Sequence, residues 1–280
     1  MKAVVVSPEG NPELADVAEP DGDTLRVRAC GLCGSDVEKL GPGAAGLVLG
    51  HEVVAETETG QRVALVHHLP CGECERCRAG HESTCERFRT ATIVPGGFAE
   101  RVAASGGWVA LPEGVGDSLG TYAEPLACVL RGADRVPRGD VLVVGGGFIG
   151  RLFAAVLSRR GDHVSIYDAD PARRTGDPPD PVDAVVHTAP AGAEESLDRV
   201  RPGGFVLLFA DAGPVEVAQV YRKELTLAGS RSATPRYLHE AVGLLPKLDL
   251  PEPVVLPLAR FKEGLELYRE RRALKVVFTP

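Results

Sequence analysis

The sequence has no run of lysines and arginines, and its 39 acidic residues outnumber 31 basic ones, leaving a formal net charge of −8. A nucleic-acid footprint needs the opposite balance, so that class of partner is excluded. No apolar stretch approaches the roughly 20 residues that span a bilayer, and no membrane partner is expected. The opening MKAVVVSPEG lacks the longer apolar region and small-residue cleavage site of a leader peptide, and its VVV run reads as a strand. The expected compartment is the cytoplasm. Internal repeats and low-complexity segments are missing too. What is left is an ordinary globular composition, 44% hydrophobic and 25% charged over 280 residues. That length suits two domains, since domains usually run about 100–200 residues.

Cysteine is scarce but clustered. Of seven, four follow the spacing C-x2-C-x2-C-x7-C at Cys71, Cys74, Cys77 and Cys85. In a reducing compartment such a cluster binds metal rather than forming disulfides. Four thiolates close a tetrahedral zinc shell, and Arg76, Arg78 and Arg87 are placed to offset its negative charge. An iron–sulfur cluster can use similar spacing, and an incidental group of buried cysteines is the plainer alternative. A closed four-cysteine shell offers no position to substrate, so this site reads as structural.

Three other segments suggest a second, open site. GLCGSD (31–36) offers Cys33, GHE offers His51 and Glu52, and AEPLA offers Glu124. A catalytic zinc takes three protein ligands and keeps one exchangeable position. Cys33, His51 and a carboxylate from Glu52 or Glu124 meet that count, with Asp36 as the acceptor that orients the other imidazole nitrogen. Each residue alone reads as ordinary core. Their joint occurrence around the cysteine loop carries the signal.

The first ~115 residues hold short β-type runs separated by turn signals, as in a small barrel or sandwich. From SLGTYAEPLACVLRGADRV onward, strands alternate with helices: DVLVV, HVSIYD, DAVVHTA, GGFVLLFA and ELTLAGS imply a parallel sheet built from βαβ units. Gly145, Gly147 and Gly150 form G-x-G-x-x-G between the first of these strands and a helix, with Phe148 and Ile149 inside the motif. The three glycines allow a tight turn, backbone approach to a pyrophosphate and close helix–strand packing. Asp168 ends the next strand, where a carboxylate binds a ribose 2′-hydroxyl and repels a 2′-phosphate. NAD is therefore the expected coenzyme, although Arg173 and Arg174 stand close enough to blunt the preference. Only a Pro- and Asp-rich stretch, PARRTGDPPDP, separates Asp168 from DAVVHTA. A helix, a third strand and a return helix need far more chain, because one βαβ unit takes roughly 30 residues. The third strand is expected to be absent, with HVSIYD a free or loop-covered sheet edge.

Together GLCGSD, GHE, GQRV, PCGECERCRAGHESTC, GGFAERV, EPLACVLRG, VVGGGFIG and KVVF resemble, in order, the medium-chain zinc-containing alcohol dehydrogenase superfamily. The branch resembled is that of sorbitol, threonine and related polyol dehydrogenases, in a shortened form. The resemblance implies a GroES-like catalytic domain over 1–120, a Rossmann domain over 121–256 with a shortened parallel sheet, and a segment 257–280 returning to the first. It implies two zinc ions per chain, one catalytic in the cleft between the domains and one structural. Carried over by position, Cys33 and His51 are ligands, Glu52 and Glu124 bind zinc directly or through water, and Ser35 begins a proton relay. A homodimer or homotetramer is also implied. Glu124 stands where simple-alcohol members usually carry cysteine, which points toward polyols. The chain departs from the pattern at Glu38, where a relay histidine is common, and at Gln61, where aspartate is usual. The expected reaction interconverts a secondary alcohol (polyol, cyclitol, sugar or amino-polyol) and a ketone by hydride exchange with NAD(H). Two rivals stand beside it: a zinc-independent quinone or enoyl reductase, and a non-catalytic NAD- and zinc-binding protein.

Overall fold

The computed structural model describes residues 1–89 and 92–280. The chain begins with β1 (Lys2–Val6), β2 (Pro12–Asp16) and β3 (Leu25–Gly31), then α1 (Gly34–Lys39), β4 (Glu52–Glu56) and β5 (Arg62–Leu65). The cysteine loop carries the single turn α2 (Glu75–Arg78). After it come β6 (Ile93–Val94), β7 (Arg101–Ala104), β8 (Trp108–Ala110), α3 (Asp117–Gly120) and α4 (Ala123–Ala133). The alternating part consists of β9 (Asp140–Val144), α5 (Phe148–Arg160), β10 (His163–Tyr167), β11 (Val182–His187), α6 (Ala193–Arg199), β12 (Val200–Leu208), α7 (Val217–Arg222) and β13 (Thr226–Gly229). Closing the chain are α8 (Pro235–Leu244), β14 (Val254–Pro257), α9 (Phe261–Arg269) and β15 (Val276–Thr279).

These elements divide into two compact units, one of residues 1–127, 233–247 and 251–280, the other of 128–232 and 248–250. The boundary read from sequence at 256 falls later than the observed division. The reason is packing: α8 lies against β8, and β14 pairs in parallel with β15, so both join the first unit.

The first unit is a curled, mainly antiparallel sheet in the order β14-β15-β3-β4-β5-β8. β3 makes the curl. Its first residues, Leu25 and Arg26, pair with β7, while its last, Cys30 and Gly31, pair with β15. A register shift between Val27 and Ala29 on the β4 side bends the strand, as an extra residue in an antiparallel ladder does. The enclosed core includes Val27, Val53, Val63, Leu65, Phe98 and Phe278, all nearly inaccessible. The amphipathic α9 closes it, with Phe261 stacked on Phe278 at 4.5 Å between ring centroids. β4 matters most for function, because it runs directly out of His51 and opens on Glu52.

The second unit is a wholly parallel five-stranded sheet in the order β10-β9-β11-β12-β13. Strands such as DVLVV and VDAVVH bury almost every side chain, as expected where both faces of a parallel sheet are covered. β11 pairs with β9, so DAVVHTA takes the place of the fourth strand of a full Rossmann order and no third strand lies beyond β10 among the described residues. The edge is covered by the chain itself: Ile166 and Thr175 exchange two backbone hydrogen bonds of 2.8 and 3.1 Å in an antiparallel bridge. A hairpin-like return thus replaces the missing helix and strand.

Candidate active site and metal centres

The four clustered cysteines converge as their spacing suggested. Cys71 and Cys77 sulfurs lie 3.9 Å apart, Cys74 and Cys77 3.5 Å, and Cys74 and Cys85 3.8 Å. Zinc–sulfur bonds of about 2.3 Å in a tetrahedron put sulfurs about 3.8 Å apart, so the cage fits zinc without rearrangement. Backbone N–H groups of Cys71 and Arg87 donate to the Cys85 sulfur, and that of Cys74 donates to Cys71. Such donors stabilise thiolate, and the Glu73 and Cys74 backbone brings the Cys71 thiol down to about 6. Burial and neighbouring thiols push Cys77 up to about 12. A coordinated cation removes that spread by deprotonating every ligand. Of the three arginines placed near the loop, Arg87 pairs with Glu73 at 2.8 Å and feels the Cys71 charge, whereas Arg76 turns to the Thr84 hydroxyl.

A second group is set by the junctions β3–α1 and Gly50–β4. Ligand atoms of Cys33, His51 and Glu52 all lie within 4.8 Å of one another. Asp36, buried on the third residue of α1, organises them. Its carboxylate accepts the Cys33 N–H at 3.1 Å, the Gly50 N–H at 3.2 Å and the His51 Nδ1–H at 3.1 Å. With Nδ1 spent on Asp36, the other ring nitrogen, Nε2, is the one left to a metal. Burial alone would pull His51 down, but Asp36 and the Cys33 sulfur outweigh it and hold its pKa well above the usual imidazole range. A proton kept there is one that a divalent cation displaces on binding. Ser35 donates its hydroxyl to the Cys33 sulfur at 3.4 Å. One soft thiolate, one imidazole and one carboxylate make a donor set that suits zinc and leaves a coordination position open.

Glu124 lies outside this trio. Its carboxylate is 3.5 Å from Nδ1 of His68, at the start of α4. Sequence reasoning passed over His67 and His68, whose rings continue from His51 in tilted contact, 4.5 Å from His51 to His67 and 4.3 Å from His67 to His68 between centroids. Burial, then the neighbouring His51 and His68, drive the His67 pKa down to about 2, so it stays neutral. The doublet HH in VALVHHLPC was the available signal. Lys275 was passed over as well, read only as part of the KVVF strand. It is buried, forms an ion pair with Glu52 and donates to the Leu32 carbonyl at 3.0 Å.

In the parallel unit the glycine turn has the geometry its motif requires. Gly145 adopts φ +104°, and a Cβ on Gly150 would strike the Gly145 carbonyl oxygen at 1.8 Å. A Cβ on Gly147 would meet nothing within 4 Å, so space stays open where α5 begins, with Phe148 and Ile149 in its first turn. Main-chain donors at such a helix start suit a pyrophosphate. Asp168 stands beside this turn, accepting the Gly146 N–H at 2.7 Å and the Asp170 N–H at 2.9 Å. An ionised carboxylate has about four acceptor positions, so two remain for a ribose. Arg173 packs its backbone on Gly146 and is tied there by Arg151, which donates to the Arg173 carbonyl at 3.0 Å. Arg174 stays beside Asp168, donating Nε–H to its backbone carbonyl at 2.7 Å while its guanidinium lies over Tyr167, 4.6 Å from the ring centroid.

Comparison with known proteins shows the family and the fold. Residues 19–113 match the family described as "Alcohol dehydrogenase GroES-like domain". The chain is 30% identical to the D-altritol 5-dehydrogenase of Agrobacterium fabrum, with 88% of each protein covered. The chain belongs to the medium-chain zinc-containing alcohol dehydrogenase superfamily, in its polyol dehydrogenase-like branch. Within that superfamily it is also 26% identical to the L-galactonate-5-dehydrogenase of Escherichia coli K12, over 91% of each. Its fold superposes on galactitol-1-phosphate dehydrogenase from Escherichia coli with a TM-score of 0.82 at 21% identity, covering all of both chains. Among the described residues, no helix is long and apolar enough to cross a membrane.

Proposed function

We propose that this chain is a zinc-dependent, NAD(H)-linked dehydrogenase that interconverts a secondary alcohol of a polyol, cyclitol, sugar or amino-polyol and the corresponding ketone. The observation that carries this reading is the convergence of Cys33, His51 and Glu52 within 4.8 Å, with Asp36 fixing the imidazole. A zinc ion in that trio supplies Lewis-acid polarisation of a substrate hydroxyl, and the nicotinamide supplies the hydride chemistry. The chain's own residues do the rest. Cys33, His51 and Glu52 hold the ion, and Asp36 keeps one imidazole tautomer. Ser35, whose hydroxyl lies 3.4 Å from the Cys33 sulfur, would begin the relay, releasing its own proton outward as it receives the one that leaves the substrate hydroxyl. Glu124, on α4 beside His68, is a second carboxylate suited to binding zinc directly or through water and to meeting a hydroxyl-rich substrate.

The Gly145–Gly150 turn takes the pyrophosphate and Asp168 the adenosine ribose, which favours NAD. Cys71, Cys74, Cys77 and Cys85 hold a second, structural zinc. Seven reduced cysteines, four of them committed to thiolate ligation, suit a reducing cytoplasm. The relatives' names support the substrate class, one being named for an alditol and another for an aldonate.

The test is a screen of purified protein against alditols, cyclitols, aldonates and amino-polyols with NAD⁺ and NADP⁺, following absorbance of the reduced nicotinamide. Turnover of at least one polyol with NAD⁺, abolished by His51→Ala, is expected. Polyol-independent reduction of quinones that survives His51→Ala would assign the chain to the zinc-independent reductases instead.

A further inference from the structure

Lys275 is 3% exposed, and Glu52, its partner, is 1% exposed. A lysine is almost never this buried unless it is paired, because taking an ammonium out of water costs several kcal/mol. The Nζ of Lys275 joins two segments of the chain, meeting Oε2 of Glu52 at the start of β4 and the carbonyl of Leu32, the residue before Cys33. The ammonium therefore ties together the two chain segments that carry Cys33 and Glu52.

The space around this contact is closed. A Cβ on Gly31 would meet Oε2 of Glu52 at 2.0 Å and Cε of Lys275 at 3.1 Å, so the glycine leaves room for the pair and for nothing larger. Lys275 also immediately precedes β15, whose Val277 pairs with Gly31. Sheet pairing thus fixes the lysine's backbone against the same strand end that delivers Cys33.

We infer that Lys275 is a positioning residue of the open metal site, holding the Glu52 carboxylate in reach of Cys33 and His51 and so setting how firmly the site retains its metal. The inference rests on the dehydrogenase reading, in which that trio is a metal site. With Oε2 of Glu52 held by the ammonium, the other carboxylate oxygen is the one left for a cation. Without Lys275, a buried carboxylate would lack its partner, and the Leu32 carbonyl would lose its donor. Partners of this kind behind a ligand typically change metal affinity 10- to 100-fold.

The test uses the full chain with cobalt(II) as the probe in the open site and zinc retained in the four-cysteine cage. Lys275→Met is expected to release cobalt 10- to 100-fold faster and to alter the visible cobalt–thiolate spectrum. Lys275→Arg, which keeps the charge, should restore most of the retention. Because Lys275→Met leaves a lone buried carboxylate, its folding is guarded by a second pair, Glu52→Gln and Glu52→Gln/Lys275→Met. If the lysine acts through Glu52, these two should release cobalt at the same rate. Unchanged retention in Lys275→Met, or an equal loosening by that change in the Glu52→Gln background, would overturn the assignment. A wild-type chain that takes up no cobalt beside the cage would overturn the dehydrogenase reading instead, so the two failures are distinct.

Discussion

At the residue scale, Cys33 and His51 are separable from the folding of the chain, because neither belongs to the four-cysteine cage or to the parallel unit. Cys33→Ser or His51→Ala is expected to remove turnover entirely while coenzyme affinity, measured by calorimetry, changes less than threefold. Full activity in either variant would remove it from the ligand set. Asp168 carries a different prediction. Its carboxylate holds the Gly146 N–H, so Asp168→Asn keeps that acceptor while losing the charge that repels a 2′-phosphate. Hydrogen bonds to charged groups are worth roughly 1.5–3 kcal/mol, about ten- to hundredfold in affinity. Asp168→Asn should weaken NAD within that range and narrow the gap to NADP in competition assays. A wild type that already prefers NADP would show that Arg173, packed against Gly146, governs this end of the coenzyme.

At the element scale, Cys74→Ser in the cysteine loop should cost folding more than chemistry, because metal binding in such a loop is folding free energy. The expected result is low soluble yield, with near-normal turnover per active site in the fraction that folds. A stable, soluble variant that had lost only turnover would contradict a structural role.

The elements also show what a sequence can reveal. The cage was legible because four ligands lie within 15 residues and their spacing alone brings them together. The missing strand was legible because chain length bounds what can cross a sheet, and β10 is indeed the edge. Its cover was not, since the Ile166–Thr175 bridge depends on main-chain groups that carry no side-chain signature. β2 and β14 were missed for a related reason: PELAD and VVLP are too short to show clear alternation, and their partners supply the pairing. The grouping of Glu52 rather than Glu124 with Cys33 and His51 depends on where α4 begins, and Lys275 reaches Leu32 across 243 positions. Long-range register decides such contacts, and no local pattern encodes them.

At the scale of the whole molecule, the four-cysteine cage and the Cys33–His51–Glu52 trio fall in the unit that contains residues 1–127, while the glycine turn and Asp168 fall in the other. The second unit has its own core, with Leu142, Val185, Leu197 and Val206 fully buried, so its fold does not depend on thiolate ligation. The single tryptophan, Trp108, lies in β8 and pairs with Leu65 of β5, which makes its emission a reporter of the first unit alone. Structural zinc in small domains contributes apparent binding energies of about 10–16 kcal/mol, comparable to the 5–15 kcal/mol that hold a typical domain together. A three-ligand site with an exchangeable position should yield its metal first. Chelator titration of a protein loaded with two zinc ions is therefore expected to proceed in two steps. The first equivalent removed should abolish turnover and leave Trp108 emission unchanged. The second should shift that emission and bring aggregation, while NAD still binds the soluble remainder with near-native affinity in calorimetry. Emission that shifted with the first equivalent would mean that Cys33, His51 and Glu52 are part of the folding core rather than an open site. Loss of NAD binding with the second would mean that the parallel unit cannot hold its fold once the cage is gone.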